Sequence, residues 1–258
     1  MTSKNIPISE IKDQLLSVKD LEDPIYQKFM TDERIGVQKL ILSCQKRLEK
    51  AALMLAEAYE RQAYERQAYQ SGYHVIAGID EVGRGPLAGP VIAAAVILPE
   101  EVELIEVNDS KQVSEKKRDL FYEQIMDVAL AVGIGVVSEG EIDQLNIYQA
   151  TKLAMKKALA NLDLQPDCLL IDAMSLDDVA IHQENIIKGD AKSVSIAAAS
   201  IVAKVTRDRL MKDYGRTYPG YGFENNAGYG TKEHLIGLEK LGPCPIHRKT
   251  FAPVKNYF

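Results

Sequence analysis

An α/β domain with a mixed β-sheet flanked by helices, preceded by a helical N-terminal extension, is the fold class this sequence predicts. Three observations lead to it. Residues 1–70 carry apolar positions at helical spacing among strong helix formers, with neither glycine nor proline from Val37 to Ser71. From residue 71 that texture gives way to short apolar runs, "HVIAGID", "PVIAAAVIL", "AVGIGVVS" and "CLLID". Helical patterns are interleaved with the later runs, and strands that first follow one another and then alternate with helices make a mixed sheet. The division expected is therefore 1–70 and 71–258.

The N-terminal part is read as a helical extension ending in a long amphipathic helix through the short duplication "ERQAYERQAY" (Glu60 to Tyr69). "YHVIAGID" and "PVIAAAVIL" are the first two strands. "SEKKRDLFYEQIMDVAL" follows as a helix with Ser114 at its N-cap. "AVGIGVVS" is a third strand, and "NIYQATKLAMKKALANL" a helix capped by Asn146. "DCLLID" is a buried strand ending on Asp172, and "VAIHQENII" another that leads to Gly189-Asp190. "SVSIAAASIVAKVTRDRLMKDYG" is a long helix with a small-residue face, expected to stop at Gly215. "TKEHLIGLEKLG" closes as a helix with a C-terminal glycine.

Composition narrows the function. At 46% hydrophobic and 26% charged residues, with a mean hydropathy of −0.15, the chain is neither disordered nor built to span a bilayer. Its longest apolar run, Val91 to Leu98, is far too short for a membrane helix. "MTSKNIPISEIKDQ" lacks the apolar stretch of a secretory signal. Cys44, Cys168 and Cys244 are odd in number and scattered, which suits a reducing compartment. A cytoplasmic protein with no membrane association is expected. The net charge of −6 and pI near 5.4 argue against indiscriminate nucleic-acid binding. Two basic stretches run against that balance: "SKQVSEKKR" (Ser110 to Arg118), and a tail carrying Arg248, Lys249 and Lys255 without an acid.

The chemistry concentrates at strand ends. Asp80 follows "VIAGI", Asp172 follows "CLLI" and Asp190 follows "NIIKG". Ligand sites of open α/β sheets gather at the carboxyl ends of strands, so these distant acids can meet there. Glu81 beside Asp80 is harder to place, because neighbours on a strand face opposite ways. Both reach one site only if regular strand geometry stops at Asp80, which the glycines at 83 and 85 permit. Four converging carboxylates require a counter-charge. An all-oxygen donor set suits Mg²⁺ or Mn²⁺ rather than zinc.

Competing motifs are weaker. "GRGPLA" (Gly83 to Ala88) fits a dinucleotide fingerprint with Glu100, Glu101 and Glu103 downstream, but Pro86, Gly89 and Pro90 interrupt the helix it must open. "CPIH" (Cys244 to His247) offers zinc one short Cys/His pair with no second, and His74, His182 and His234 add no ligand spacing. A non-catalytic binding module whose acids are merely structural is the rival from a non-enzymatic class.

Residues 74 to about 255 resemble bacterial ribonuclease HII, the type 2 ribonuclease H. The likeness rests on "GIDEVGRGPLAGPV", "NDSKQVSEKKR", "LLIDAM", "KGDAKSVSIAAASIVAKVTRD", "YPGYGFENNAGYGTKEH" and "GPCPIHRKTFAPV", in family order. Gly-Arg-Gly at 83–85 separates it from the related ribonuclease HIII, which has Gly-Thr-Gly at that place. The resemblance implies a ribonuclease H-like fold and endonucleolytic cleavage of RNA in RNA–DNA hybrids. It extends to single ribonucleotides in duplex DNA, leaves 3′-OH and 5′-phosphate ends, and uses two Mn²⁺ or Mg²⁺ ions. Asp80, Glu81, Asp172 and Asp190 match its metal-binding catalytic acids. Gly83, Arg84 and Gly85 match the element that senses the ribose 2′-OH, and Tyr229 the tyrosine that packs on the sugar past the RNA–DNA junction. Lys111 matches a phosphate-contacting lysine, and Lys204 is assigned to the same substrate surface. A monomer acting on hybrid duplex and on ribonucleotide-containing DNA is expected.

Overall fold

The computed structural model describes residues 6–102, 104 and 114–258. They form two compact units, Met1–Tyr59 and Glu60–Phe258. In the first, α1 (Ile8–Leu16), α2 (Pro24–Met30) and most of α3 (Ile35–Glu60) surround one small core. Ile11 and Leu15 of α1, Tyr26 and Phe29 of α2, and Val37, Ile41, Cys44 and Leu48 of α3 fill it at three- and four-residue spacings. Asp23 caps α2 by accepting from the Ile25 amide at 2.8 Å, with Pro24 at the first helical position.

The long N-terminal helix expected through Tyr69 breaks at Arg61–Gln62. A separate helix, α4 (Ala63–Gln70), belongs to the second unit. A tertiary bond accounts for the break: the Arg61 carbonyl accepts the Val194 amide at 3.0 Å, at the start of a later helix.

The second unit is built on a five-stranded sheet in the order β3-β2-β1-β4-β5. The strands are β1 (Ile76–Val82), β2 (Val91–Ile97), β3 (Ala131–Val137), β4 (Cys168–Asp172) and β5 (His182–Ile186). β2 runs antiparallel to both β1 and β3, whereas β4 is parallel to both β1 and β5. The sheet is thus mixed, as expected. The remaining helices are α5 (Glu115–Val128), α6 (Glu139–Leu145), α7 (Ile147–Ala160), α8 (Val194–Thr217), α9 (Phe223–Asn226) and α10 (Lys232–Leu241). α7 buries Ala150, Ala154, Met155 and Ala158 against one face of the sheet. The alanine-rich side of α8 and Phe121 and Ile125 of α5 cover the other. A strand covered on both faces reads as a continuous apolar run, which is why β2 is buried along its whole length.

Two local expectations are corrected. α8 does not stop at Gly215 but runs to Thr217, just before Tyr218-Pro219. Gly215 serves close packing instead, since a Cβ there would lie 2.6 Å from the Glu224 carboxylate and 3.0 Å from its amide nitrogen. The sequence reading also passed over α6, although Ser138 and Glu141 form a capping box at its start.

Candidate active site

Asp80 and Asp172 sit side by side because of the strand register. β1 and β4 are parallel with Ile79 opposite Ile171, so the next residue on each strand is an aspartate, on backbones that run about 4.8 Å apart. Asp172 Oδ1 accepts the Gly189 amide at 2.8 Å, which ties the end of β4 to the 3₁₀ turn Gly189–Ala191. Asp190, 6% exposed, lies within that turn.

Glu81 corrects an expectation. β1 keeps its pairing to Val82, with Glu81 opposite Ala93, so strand geometry does not stop at Asp80. Asp80 therefore faces α8, where the Ser200 hydroxyl hydrogen-bonds it, while Glu81 starts from the other face. Glu81 pairs with Arg84 at 3.4 Å, and Asp80 Oδ1 accepts the Glu81 amide at 2.8 Å. The two acids still feel each other across the strand end. Burial raises the Asp80 carboxyl well above the usual range, Glu81 raises it further and Asp172 adds to this, against the opposing hydrogen bonds.

Among the described residues, no group of three or more His, Cys, Asp or Glu side chains is arranged to hold a metal ion. The acids are neighbours held by protein donors rather than a closed cage. Their chemistry nonetheless fits a hard divalent cation: the donors are all oxygen, and a 4%-exposed carboxyl beside two others is stabilised by added positive charge.

The Gly-Arg-Gly loop leaves β1 directly. Gly83 has φ +92°, and a Cβ there would fall 2.3 Å from Arg207 Nε and 2.7 Å from the Pro90 carbonyl oxygen, so only glycine fits. A Cβ at Gly85 would touch the Tyr229 ring at 3.5 Å, so Tyr229, 44% exposed, flanks the loop. Lys204 lies one turn beyond Ser200 on α8, where its ammonium pairs with Asp208 at 2.7 Å. Lys111 lies outside the described residues.

Arg248 is a correction and a residue whose role the sequence reading missed. Grouped with the basic tail that runs against the chain's acidic balance, it is 0% exposed. It donates to the carbonyls of Gly83, Arg84 and Gly89 at 2.5–2.9 Å. Arg207 is equally buried and donates to the carbonyls of Pro90, Ala227 and Ala88. A basic run in a sequence carries no signal that separates such residues from solvated ones. The dinucleotide reading also falls, because Gly83–Ala88 leads through a loop into β2 and opens no helix.

"CPIH" forms a hydrogen-bonded chain. The Cys244 amide donates to His247 Nδ1 at 2.9 Å, and His247 Nε2 lies 3.0 Å from His234 Nε2. His234 Nδ1 lies 2.9 Å from the Tyr229 carbonyl, to which it can only donate. His234 Nε2 then accepts from His247, and both rings are neutral. Burial, and then His234, push His247 down to about 4. An unfolded histidine near 6.5 binds its proton first, so stability is lost as pH falls from that value toward 4. About 2 kcal/mol of loss is expected between pH 7 and 5. Urea unfolding at the two pH values should show it, and a His247→Asn variant with an undiminished loss would assign the effect elsewhere.

The fold thus sets paired acids at the carboxyl ends of parallel strands beside a glycine loop and an exposed tyrosine. Comparison with known proteins makes this arrangement specific. The family model described as Ribonuclease HII matches residues 77–254, and the Ribonuclease HII N-terminal domain matches 7–69. A ribonuclease HII of Enterococcus faecalis is 57% identical over 249 residues, covering 96% of this chain and 97% of that protein. The crystal structure of ribonuclease H2 from Pyrococcus horikoshii superposes with a TM-score of 0.61 at 25% identity, covering 71% of this chain and 96% of that one. Bst-RNase HIII, solved in complex with Mn²⁺, shares the fold with a TM-score of 0.54 at 22% identity, over 74% of this chain and 71% of that one. The chain belongs to the ribonuclease HII family. It is an endoribonuclease, a hydrolase that cleaves the RNA of RNA–DNA hybrids, and metal dependence is general for that family. No helix among the described residues is long and apolar enough to cross a membrane.

Proposed function

We propose that this enzyme also incises duplex DNA at single embedded ribonucleotides, by two-metal hydrolysis that leaves 3′-OH and 5′-phosphate ends. The observation that carries the reading is the register-matched pair Asp80 and Asp172, with Glu81 raising the Asp80 carboxyl from the adjacent position. Asp80, Glu81, Asp172 and Asp190 hold Mn²⁺ or Mg²⁺; the Mn²⁺ complex of the ribonuclease HIII with the same fold is in keeping with this. Two such ions, when bound, help ionise the attacking water and stabilise the departing 3′ oxygen. Asp80 is kept in position by the Ser200 hydroxyl and the Glu81 amide, and Asp172 by the Gly189 amide. The chain's own part is to orient these oxygens before substrate arrives.

Selection of RNA requires a group that bonds the 2′-OH and is left unpaired against DNA. The backbone of Gly83, Arg84 and Gly85 supplies it. Tyr229 packs on the sugar past the junction, and Lys111 and Lys204 meet phosphates. The three free cysteines suit a cytoplasmic enzyme. The deciding assay is a duplex with one ribonucleotide incubated with Mn²⁺, Mg²⁺ or EDTA. Incision at that residue with either metal and none with EDTA supports the reading, whereas binding without incision would restrict the enzyme to the RNA of RNA–DNA hybrids. Tyr229→Ala should lower kcat/KM at isolated ribonucleotides by about ten- to a hundredfold, the scale of an aromatic stacking contact. Unchanged kinetics would remove Tyr229 from the site.

A further inference from the structure

Among the described residues, the two largest fully buried side chains are arginines, Arg207 and Arg248. Burying a guanidinium is costly unless its donors are used. Here both spend them on main-chain carbonyls, and among the described residues neither bonds a carboxylate directly. Burial lowers Arg248 to about 9, which leaves it cationic at neutral pH. Glu139, at the start of α6, opposes that lowering at both arginines with its negative charge, as Asp208 does more strongly at Arg207. Glu139 Oε1 is itself buried with no hydrogen-bond partner.

The orientation of these bonds has a consequence at the loop. Arg248 draws the carbonyls of Gly83 and Arg84 inward. In a trans peptide the following N–H points the opposite way. The amides of Arg84 and Gly85 are therefore turned outward, and neither donates to a partner among the described residues. We infer that Arg248, with Arg207 behind it, is a positioning residue for RNA selection: it fixes the peptide planes of the Gly83–Gly85 loop so that two N–H donors face the ribose 2′-oxygen. The inference rests on the reading that this loop meets the ribose. It adds what holds the loop and which of its atoms act.

Lysine keeps the charge, but its three donors sit on one rotatable nitrogen without the planar fork, so it cannot reproduce the fixed geometry that holds these three carbonyls. With Ca²⁺ in place of the active metal, wild-type protein should bind a duplex containing one ribonucleotide more tightly than the same duplex in DNA alone. In Arg248→Lys that ratio should fall at least tenfold, with affinity for the all-DNA duplex unchanged. A merely structural role would weaken both duplexes together. A folded Arg248→Lys that discriminates as wild type does would overturn the inference alone. A wild type that binds both duplexes equally would overturn the underlying reading and the inference with it. Should the variant fail to fold, amide hydrogen exchange on wild type decides. The Arg84 and Gly85 amides should exchange quickly in the free protein and be protected by the ribonucleotide duplex only. Slow exchange in the free protein, or equal protection by both duplexes, would refute the inference.

Discussion

Asp80→Asn and Asp172→Asn are each expected to lower the cleavage rate by on the order of 10³-fold or more, about 4 kcal/mol of transition-state stabilisation. The reason lies in the register that makes these two carboxylates neighbours on β1 and β4. Removing either charge takes away half of the pair that would hold a cation against the scissile phosphate. The fold should survive, because burial and two nearby acids already oppose ionisation of Asp80, and the neutral amide is close in shape. In EDTA, Asp80→Asn should be at least as stable as wild type. Adding Mn²⁺ should then raise the melting temperature of wild type and leave that of the variant unmoved, since a ligand stabilises only the protein that binds it. Near-normal turnover in either variant, or the same thermal shift in both proteins, would refute the assignment.

Glu65→Ala is expected to be the most damaging change outside the site. The Glu65 carboxyl is buried in the second unit at the start of α8. It accepts from the Ser193 hydroxyl at 2.5 Å, the Ser195 hydroxyl at 2.6 Å and the Ser195 amide at 3.0 Å. Alanine strands these donors away from water and removes negative charge from a helix N-terminus, at a cost of about 3 kcal/mol. Because α8 also carries Ser200, which hydrogen-bonds Asp80, a frayed first turn should reach the active site. Amide exchange in the first turn of α8 and the urea midpoint measure the effect. Glu65→Gln keeps one acceptor and should recover part of the loss. A change below about 1 kcal/mol in Glu65→Ala would show that α4 merely rests on the domain.

Glu65 also shows where reading by texture runs out. By composition it belongs to the helix-rich N-terminal stretch, and only the serines that it meets, about 130 positions later, place it with the second unit. Gly215 makes the same point at short range. Its position suggests a helix stop, but its cause is the approach of Glu224. α6, in contrast, was readable from Ser138 and Glu141 and was simply passed over.

What the residue order settled was local and periodic. Continuous apolar runs marked β2 and β4 because strands covered on both faces need no polar side. The acids closing such runs were visible as site candidates, and the motif series carried the family. What required the folded chain was pairing across distance. The linear order could not state that Ile79 aligns with Ile171, and so Asp80 with Asp172, because parallel register is set by packing between segments about ninety residues apart. The same holds for Arg248. In sequence it is one charge in a basic tail, and only enclosure by the chain turns it inward to grip the loop beside those acids.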